Sequence, residues 1–543
     1  MSSFDAIVIG GGHNGLVCAA YLARANRRVC VLEQAEVLGG CSTTESLLPE
    51  KPGFRFNRGA IDLAHIQGTP ILEELELARH GLKLIYHDPT WYFPFLDGTS
   101  VSFFRDIDAT CDSIATFSPE DAESYRRFAD MWRRALVLLE PLDAGPPPAV
   151  GKLAALAALA GRDGDALAHL LLSSPQEVAH RWFRSTQMRA VIGWMGVQAG
   201  TPPEQPAAAL ATAQLAVSHE NGVARAEGGM GALIDSLRRC IEAGGGEVRL
   251  SAQVDRVVLD SSRRRVHGVA VGPDVLSAPV VVSAIDAYRL FTRLLPDAPL
   301  PAVLQRRVSD THVYYPSLFK VDVALRAKPT LSAPGGQAGL TANINLAPSL
   351  AHVQQAFHAY AQGRWTPDPP LMAAVPSILD PTLAPDGQHT LWLSQFNPGA
   401  YWKTADARER ELCADSMIET FCRYAPGTES LILARHITTP ADRERITGNI
   451  NGHPFHLDMT LDQSLAFRPV VGMSGYRTPI DGLYLSGSGT HPGGGVTGVP
   501  GRNAAHVVLA RRPSVRELVR RGSPALHTAR SRRRAWTELR EQL

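Results

Sequence analysis

Gly10, Gly12 and Gly15 stand in the order G-x-G-x-x-G, and Glu33 follows about 20 residues on. Glycines at this spacing can receive a pyrophosphate. Gly10 allows a tight turn, Gly12 lets backbone amides approach the anion, and Gly15 lets a helix pack on the preceding strand. Amides at the helix start hold the negative charge, and Glu33 is placed to accept hydrogen bonds from ribose hydroxyls. The bland alternative is a glycine-rich structural turn. Strand, helix and acid in register select a dinucleotide site, with FAD and NAD both open at this point. Near the other end, Gly487, Ser488, Gly494, Gly495, Val496 and Gly498 belong to SGSGTHPGGGVTG. Such a turn suits a flavin: backbone comes close to the ribityl chain and pyrimidine edge, and helix-end amides support negative charge on the reduced ring.

Other side chains offer less, and no acid/base pair stands out by spacing. His491, beside the second turn, is the best candidate for handling a proton, set against a histidine that only bonds backbone. Asn57, Arg58 and Asp62 share one block and either line a flavin cavity or form an ordinary salt bridge. The run Trp91-Tyr92-Phe93 either lines an apolar tunnel or belongs to a core. Seven cysteines are scattered without C-x-x-C or zinc spacing, so neither disulfides nor a metal is expected.

Particular elements must position these residues. Ala6 to Ile9 is a short apolar run, Leu16 to Arg24 has helical spacing, and Arg28 to Leu32 is a second apolar run ending at Glu33. The chain returns to this unit from Ala226: Gly228-Gly229-Met230-Gly231 leads into a helix over Ala232 to Ala243, Glu247 to Leu259 alternates like strands, and Val280 to Ala284 reads as a buried strand. A last return, Asp481 to Gly498, feeds a helix to about Ala510. Repeated return predicts a discontinuous FAD- or NAD-binding domain over 1–75, 216–290 and 456–510. Segments 76–215 and 291–455 then form a substrate or lid domain. It holds a helix over Ser118 to Leu139 opened by an N-cap and Pro119, and two short amphipathic helices over Lys152 to Leu172. Strand-like patterns at Ser317 to Leu325, Met372 to Leu379 and Thr390 to Phe396 make an antiparallel sheet, followed by a helix over about Ala405 to Tyr424.

At 543 residues the chain can bury a large core, and a net charge of +1 argues against a dedicated nucleic-acid binder. Charge is uneven: from Arg511 to Leu543 ten Arg face three Glu, so this tail carries +7 and the body −6. With Leu518, Val519, Leu526, Trp536 and Leu539 interleaved, the tail either lies on an anionic membrane surface or is a solvated end. The fold starts within about four residues of Met1 and no run of about 18 apolar residues occurs. A cytoplasmic protein is expected, with any membrane contact peripheral and on the inner face.

The blocks GHNGLVCAAYL, GFRFNRGAID, SPEDAESYRRF, LDPTLAPDGQHTLW, HLDMTLDQ and SGSGTHPGGGVTGVPGRNAA are more specific than the fingerprint. They resemble the phytoene-desaturase-like flavoproteins, and within them the desaturase-related beta-carotene ketolases, from residue 4 to about 510. The H-P-G-G-G turn is also similar to that of proteins like pyridine nucleotide-disulfide oxidoreductase domain-containing protein 2, whose substrate class is poorly defined. The resemblance implies FAD, an α/β fold with a Rossmann-like FAD-binding domain of the amine oxidase and phytoene desaturase type, and a discontinuous α+β substrate domain. It implies Gly39 and Gly40 as a second glycine turn beside the pyrophosphate and ribityl chain, and Val254 as a backbone contact to the adenine. Many relatives read G-G-R where this chain has Gly39-Gly40-Cys41, so a charged contact is missing or comes from elsewhere.

The partner implied is an apolar small molecule, a carotenoid taken from a membrane. The expected reaction is ketolation at the 4-position of the beta-carotene ring: hydride leaves an allylic CH2 for the flavin, the polyene cation captures water, and a second oxidation gives the ketone. Oxygen as the source of the keto atom is equally open. Alternatives are carotenoid desaturation, an FAD protein of undefined substrate with a regulatory role, and an amine oxidase with an aromatic cage.

Overall fold

The computed structural model describes residues 3–149, 151–152 and 161–510. The Arg511 to Leu543 tail and most of the first half of the Lys152 to Leu172 pattern lie outside the described residues.

The apolar runs become one five-stranded parallel sheet, ordered Leu483–Leu485, Val281–Ser283, Ala6–Ile9, Val29–Leu32, Glu247–Arg249. Short continuous apolar runs suit this arrangement because both faces of a parallel sheet are covered. Side chains alternate between the faces. Val8, Val31 and Val282 pack with Leu16, Leu233 and Leu237, while Ile7, Ile9, Cys30 and Leu32 meet Val257, Val269 and Leu276. The latter three come from a three-stranded antiparallel sheet, Arg256–Leu259, Val266–Val271 and Asp274–Ser277. Helix His13–Arg24 lies on the first face between helices Met230–Ala243 and Val499–Leu509.

A second sheet has seven strands, in the order Ile432–Thr438, Ser317–Leu325, His389–Asn397, Leu371–Ala374, Asn343–Leu346, Trp91–Pro94, Ser100–Phe103. All neighbours are antiparallel except Asn343–Leu346 with Trp91–Pro94. The expected strand over Met372 to Leu379 ends early, at Ala374. Pro376 and Pro381 each open a short 3-10 turn, since neither has the N–H that a ladder needs. Trp91-Tyr92-Phe93 is a strand, and Tyr92 and Phe93 are fully buried in two separate cores, so those two rings are packing rather than tunnel wall.

A helical layer packs on one face of this sheet through Phe128, Trp132, Phe183 and Trp194. Helix Pro119–Asp143 starts where expected, with the Ser118 hydroxyl accepting from Asp121 N, and runs four residues beyond Leu139. Asp121 is fully buried. Its carboxylate accepts from Arg184 N and Ser185 N at 2.8 Å and from the Ser185 hydroxyl at 2.5 Å. Ser185 in turn caps helix Thr186–Gly196 through Met188 N. One carboxylate therefore latches the start of the long helix to the start of another. Asp121→Ala strands two backbone N–H groups and a cap hydroxyl, and should cost about 3 kcal/mol. Chemical unfolding followed by circular dichroism checks this; an unchanged midpoint would dismiss the latch.

Candidate functional site

The glycine turn does what its spacing requires. Strand Ala6–Ile9 ends at Gly10, whose φ of +100° no side chain would favour. Helix His13–Arg24 starts after Gly12 as N-cap. A Cβ on Gly15 would sit 2.2 Å from Gly10 O, whereas one on Gly12 would meet nothing within 4 Å, so Gly12 opens onto the adjoining cavity. Glu33 is held by backbone: Gly11 N donates to Oε2 at 2.7 Å and Ala35 N to Oε1 at 2.9 Å. Each oxygen keeps a further acceptor site for a ribose hydroxyl. The second turn lies against the first, with Gly39 N donating to Gly11 O at 2.9 Å and a bridge between Gly12 and Gly39. Ala252 N donates to Glu33 O at 2.8 Å and brings Val254 alongside.

These pieces line one cavity of about 1200 Å³, its open mouth included. Of the residues singled out from the sequence, Gly10, Gly12, Gly15, Glu33, Gly39, Gly40, Arg58, Val254, Gly487 and Ser488 reach it. Gly494, Gly495, Val496, Gly498, Asp62 and His491 lie outside its lining. Gly494 packs under Phe455, where a Cβ would stand 2.0 Å from the ring, and Gly495, at φ +103°, faces His65. Val496 is held at φ +57°, and Gly498, at φ +70°, caps helix Val499–Leu509. The His491 Nε2 donates to Leu142 O at 2.9 Å, and Tyr476 donates to His491 O at 2.7 Å. Burial keeps this imidazole below its ordinary pKa, so it stands neutral as a tie to the end of the long helix. Asp62 accepts from Asn343 Nδ2 at 2.9 Å and so joins its loop to the seven-stranded sheet.

Near Cys41 a charge comes from Arg58, which follows the short strand Phe56–Asn57. Arg58 donates to Gly40 O at 3.2 Å and pairs with Glu45 at 2.5 Å, placing a guanidinium at the Gly39-Gly40 turn. Behind it is a pair the sequence reading missed. Lys320 and Asp322, both fully buried, meet at 2.5 Å because alternate residues of one strand share a face. Lys320 Nζ also donates to Asn57 O at 2.5 Å, beneath the loop that carries Arg58. Burial pulls the lysine below and the aspartate above its usual pKa, each opposed by its partner. Arg443 is 1% exposed, and its three guanidinium nitrogens have no hydrogen-bond partner. One of them would stand 3.2 Å from a Cβ on Gly59. His13, Asn14 and His456 also line the cavity and were not foreseen. His13 and Asn14 sit inside the fingerprint, where the signal was available; His456 opens the HLDMTLDQ block, but no spacing tied that block to the first turn.

Replacing one partner of the buried pair leaves the other charge uncompensated. Asp322→Asn should destabilise by about 4 kcal/mol, and Lys320→Met with Asp322→Leu should recover most of it. Denaturant titration of the three variants decides. A double variant as unstable as the single would mean that the apolar pair cannot fill this space.

Residues 15–509 match the family model described as flavin containing amine oxidoreductase. The chain is 34% identical to pyridine nucleotide-disulfide oxidoreductase domain-containing protein 2 of Rattus norvegicus over 93% of each chain. It is 27% identical to a limonene dehydrogenase chain of Castellaniella defragrans, over 93% of this chain and 94% of that one. To the lycopene-forming phytoene desaturase of Pseudescherichia vulneris it is 26% identical, over 91% and 96%. The fold is shared with cyclohexylamine oxidase of Brevibacterium oxydans, with a TM-score of 0.58, 16% identity and coverage of 94% and 100%. The cradle fits an FAD: glycines open where a pyrophosphate needs backbone, an acid stands where a ribose needs an acceptor, and buried polar atoms on His13, Asn14 and His456 lack partners. The chain belongs to the flavin containing amine oxidoreductases and is an FAD-dependent oxidoreductase with a Rossmann-like cofactor fold.

Proposed function

We propose that this oxidoreductase takes hydride from an allylic C–H of an isoprenoid hydrocarbon, and that its product is a 4-keto carotenoid ring. The observation that carries the reading is the small apolar cluster of Ile61, Met372, Ala374 and Trp392, between the Arg58–Asp62 loop and the seven-stranded sheet. The carboxylates beside it are already bonded within the protein, Asp62 to Asn343 and Ala64 N and Asp322 to Lys320, which weakens their pull on an ammonium group. The unpartnered guanidinium of Arg443 adds repulsion against a protonated amine. A neutral apolar molecule meets neither obstacle. Two relatives are named for limonene and phytoene, which are hydrocarbons of this class.

Bound FAD supplies two-electron oxidation. The chain's part is to hold the ring methylene against the cofactor and to keep acceptor groups away from the developing cation until water reaches it. Two successive oxidations with one water convert CH2 to C=O and release four electrons and four protons. Anaerobic mixing of the holoenzyme with beta-carotene should bleach the flavin, and turnover in labelled water should give a labelled 4-keto product by chromatography and mass spectrometry. Bleaching by phytoene instead would install desaturation, bleaching by a primary amine would install amine oxidation, and unlabelled ketone would move the oxygen source to O2.

The Arg511 to Leu543 tail is proposed as the contact to the inner face of an anionic membrane, the source of such a substrate. No helix among the described residues is long and apolar enough to cross a membrane. Deleting the tail should weaken sedimentation with phosphatidylserine vesicles at low salt, and unchanged sedimentation would discard the anchor.

A further inference from the structure

Two imidazoles, of His13 and His456, line the cofactor cavity, each with a buried nitrogen that has no hydrogen-bond partner. His13 is the first residue of the helix that receives the pyrophosphate. Its Nδ1 lies 3.4 Å from the Ser42 hydroxyl, and its buried Nε2 has no partner. His456 lies among the lining residues together with Gly487 and Ser488, at the end of strand Leu483–Leu485. It is held at φ +65°, a left-handed conformation that non-glycine residues adopt only under constraint. Gly487 and Gly489 pack on it: a Cβ on Gly487 would stand 3.2 Å from its Cε1, and one on Gly489 would stand 3.5 Å from its Nδ1. That Nδ1 is buried and unpartnered. Strain, glycine contacts and an orphaned nitrogen mark a ring aimed for a ligand rather than for packing.

We propose that His13 and His456 are anion-binding residues for the FAD pyrophosphate, and that capture of the cofactor brings a proton onto this pair. The charged surroundings set the direction. Around His456 stand Asp286, Arg289, Arg468 and His13. Asp286 is committed to Arg289 through its backbone N–H and its Nε. Arg468 is spent on backbone carbonyls of Phe455, Leu457, Asp458, Gln463 and Ser488. His13 has the Ser42 hydroxyl beside it, and the charged groups elsewhere in the lining are Glu33, already bonded to two amides, and Arg58, paired with Glu45, besides Arg289 and Arg293. No carboxylate faces either ring without a partner of its own, so burial dominates and pushes His13 down to about 4 and His456 down to about 3. Both are neutral in the ligand-free pocket at neutral pH.

A pyrophosphate diester brings two negative charges into the same low-dielectric space, which favours the imidazolium. The pKa is therefore higher with cofactor than without it. By linkage, affinity tightens as pH falls through the bound-state pKa, and the gain stops only near the ligand-free values of about 4 and about 3. A single proton changes the dissociation constant by up to about tenfold per pH unit in that window.

The experiment is dilution of the holoenzyme to nanomolar concentration, with released FAD read by its fluorescence, at several values between about pH 6 and 8.5. The wild type should retain FAD more tightly at the acid end, by up to about tenfold per pH unit below the bound-state pKa. His13→Gln with His456→Gln keeps side chains that can donate but cannot take a proton, and should bind FAD with a flat pH profile. Each single variant should lose part of the slope, which keeps the proposal testable should the double variant not fold. ADP, which carries the pyrophosphate and gains from the same proton, should displace FAD about equally well at every pH, whereas riboflavin, which lacks it, should displace FAD less well at low pH. A flat wild-type profile, a full slope in the single variants, or the same trend for ADP and riboflavin overturns the proposal.

Discussion

A Cβ on Gly15 would lie 2.2 Å from Gly10 O, and one on Gly501 would lie 2.2 Å from Asn14 O. Both distances are far inside van der Waals contact, so helix His13–Arg24 sits against its own strand on one side and against helix Val499–Leu509 on another only because no side chain intervenes. Its amino end is thereby fixed against the turn after Ile9. Glu33 reaches back to Gly11 N, Gly39 N donates to Gly11 O, and Ala252 N follows Glu33 O, so each later piece of the cavity is registered on that first turn. The central strand Ala6–Ile9 has a strand from residues 281–283 on one side and one from 29–32 on the other. A shift of the helix would propagate to both.

How much of this was legible follows from whether the information is local. Ala6–Ile9, Val29–Leu32 and Val281–Ser283 are short apolar runs bounded by turn residues, and the expected strands agree with them to about two residues. The cap at Ser118 and the first helical residue Pro119 were readable for the same reason. The early end at Ala374 was not, because the apolar run Met372 to Leu379 outweighed the one proline inside it, Pro376, which cannot pair. Gly494 and Gly498 were singled out as cofactor contacts from the glycine turn between strand and helix, and packing also requires them to be small: a Cβ on the first would meet Phe455, and one on the second Ile71 and Val17. A glycine states that something comes close without saying what.

Electrostatics was the least legible part, since it pairs residues separated by hundreds of positions. Asn57 and Lys320 meet across 263 residues, and nothing in either neighbourhood announces it. Lys320 and Asp322 are two residues apart in a strand that the alternation predicts, so their shared face is inferable from sequence; their burial is not. Buried pairs of this kind are weak contributors to net stability, because desolvation offsets most of the attraction. Their effect here is geometric. The ammonium is fixed by Asp322 and by Asn57 O, and this holds the loop from which Arg58 reaches the Gly40 carbonyl.

The two ends of the cavity therefore answer to different physics. Around the fingerprint the contacts are backbone amides and glycines, which recognise a phosphate by close approach and would serve any dinucleotide enzyme equally well. Beyond Gly40 the contacts come from side chains: the Arg58 guanidinium on the Gly40 carbonyl and paired with Glu45, carboxylates bonded within the protein, and an apolar cluster under the loop. Discrimination between a hydrocarbon and an ammonium requires a site to leave charged substrates without partners, since an apolar wall alone distinguishes them only by the cost of desolvation. Under the proposed function, the bonds that Asp62 and Asp322 make within the protein weaken their pull on an ammonium. Two imidazoles, His13 and His456, line the same cavity, and burial lowers the pKa of each.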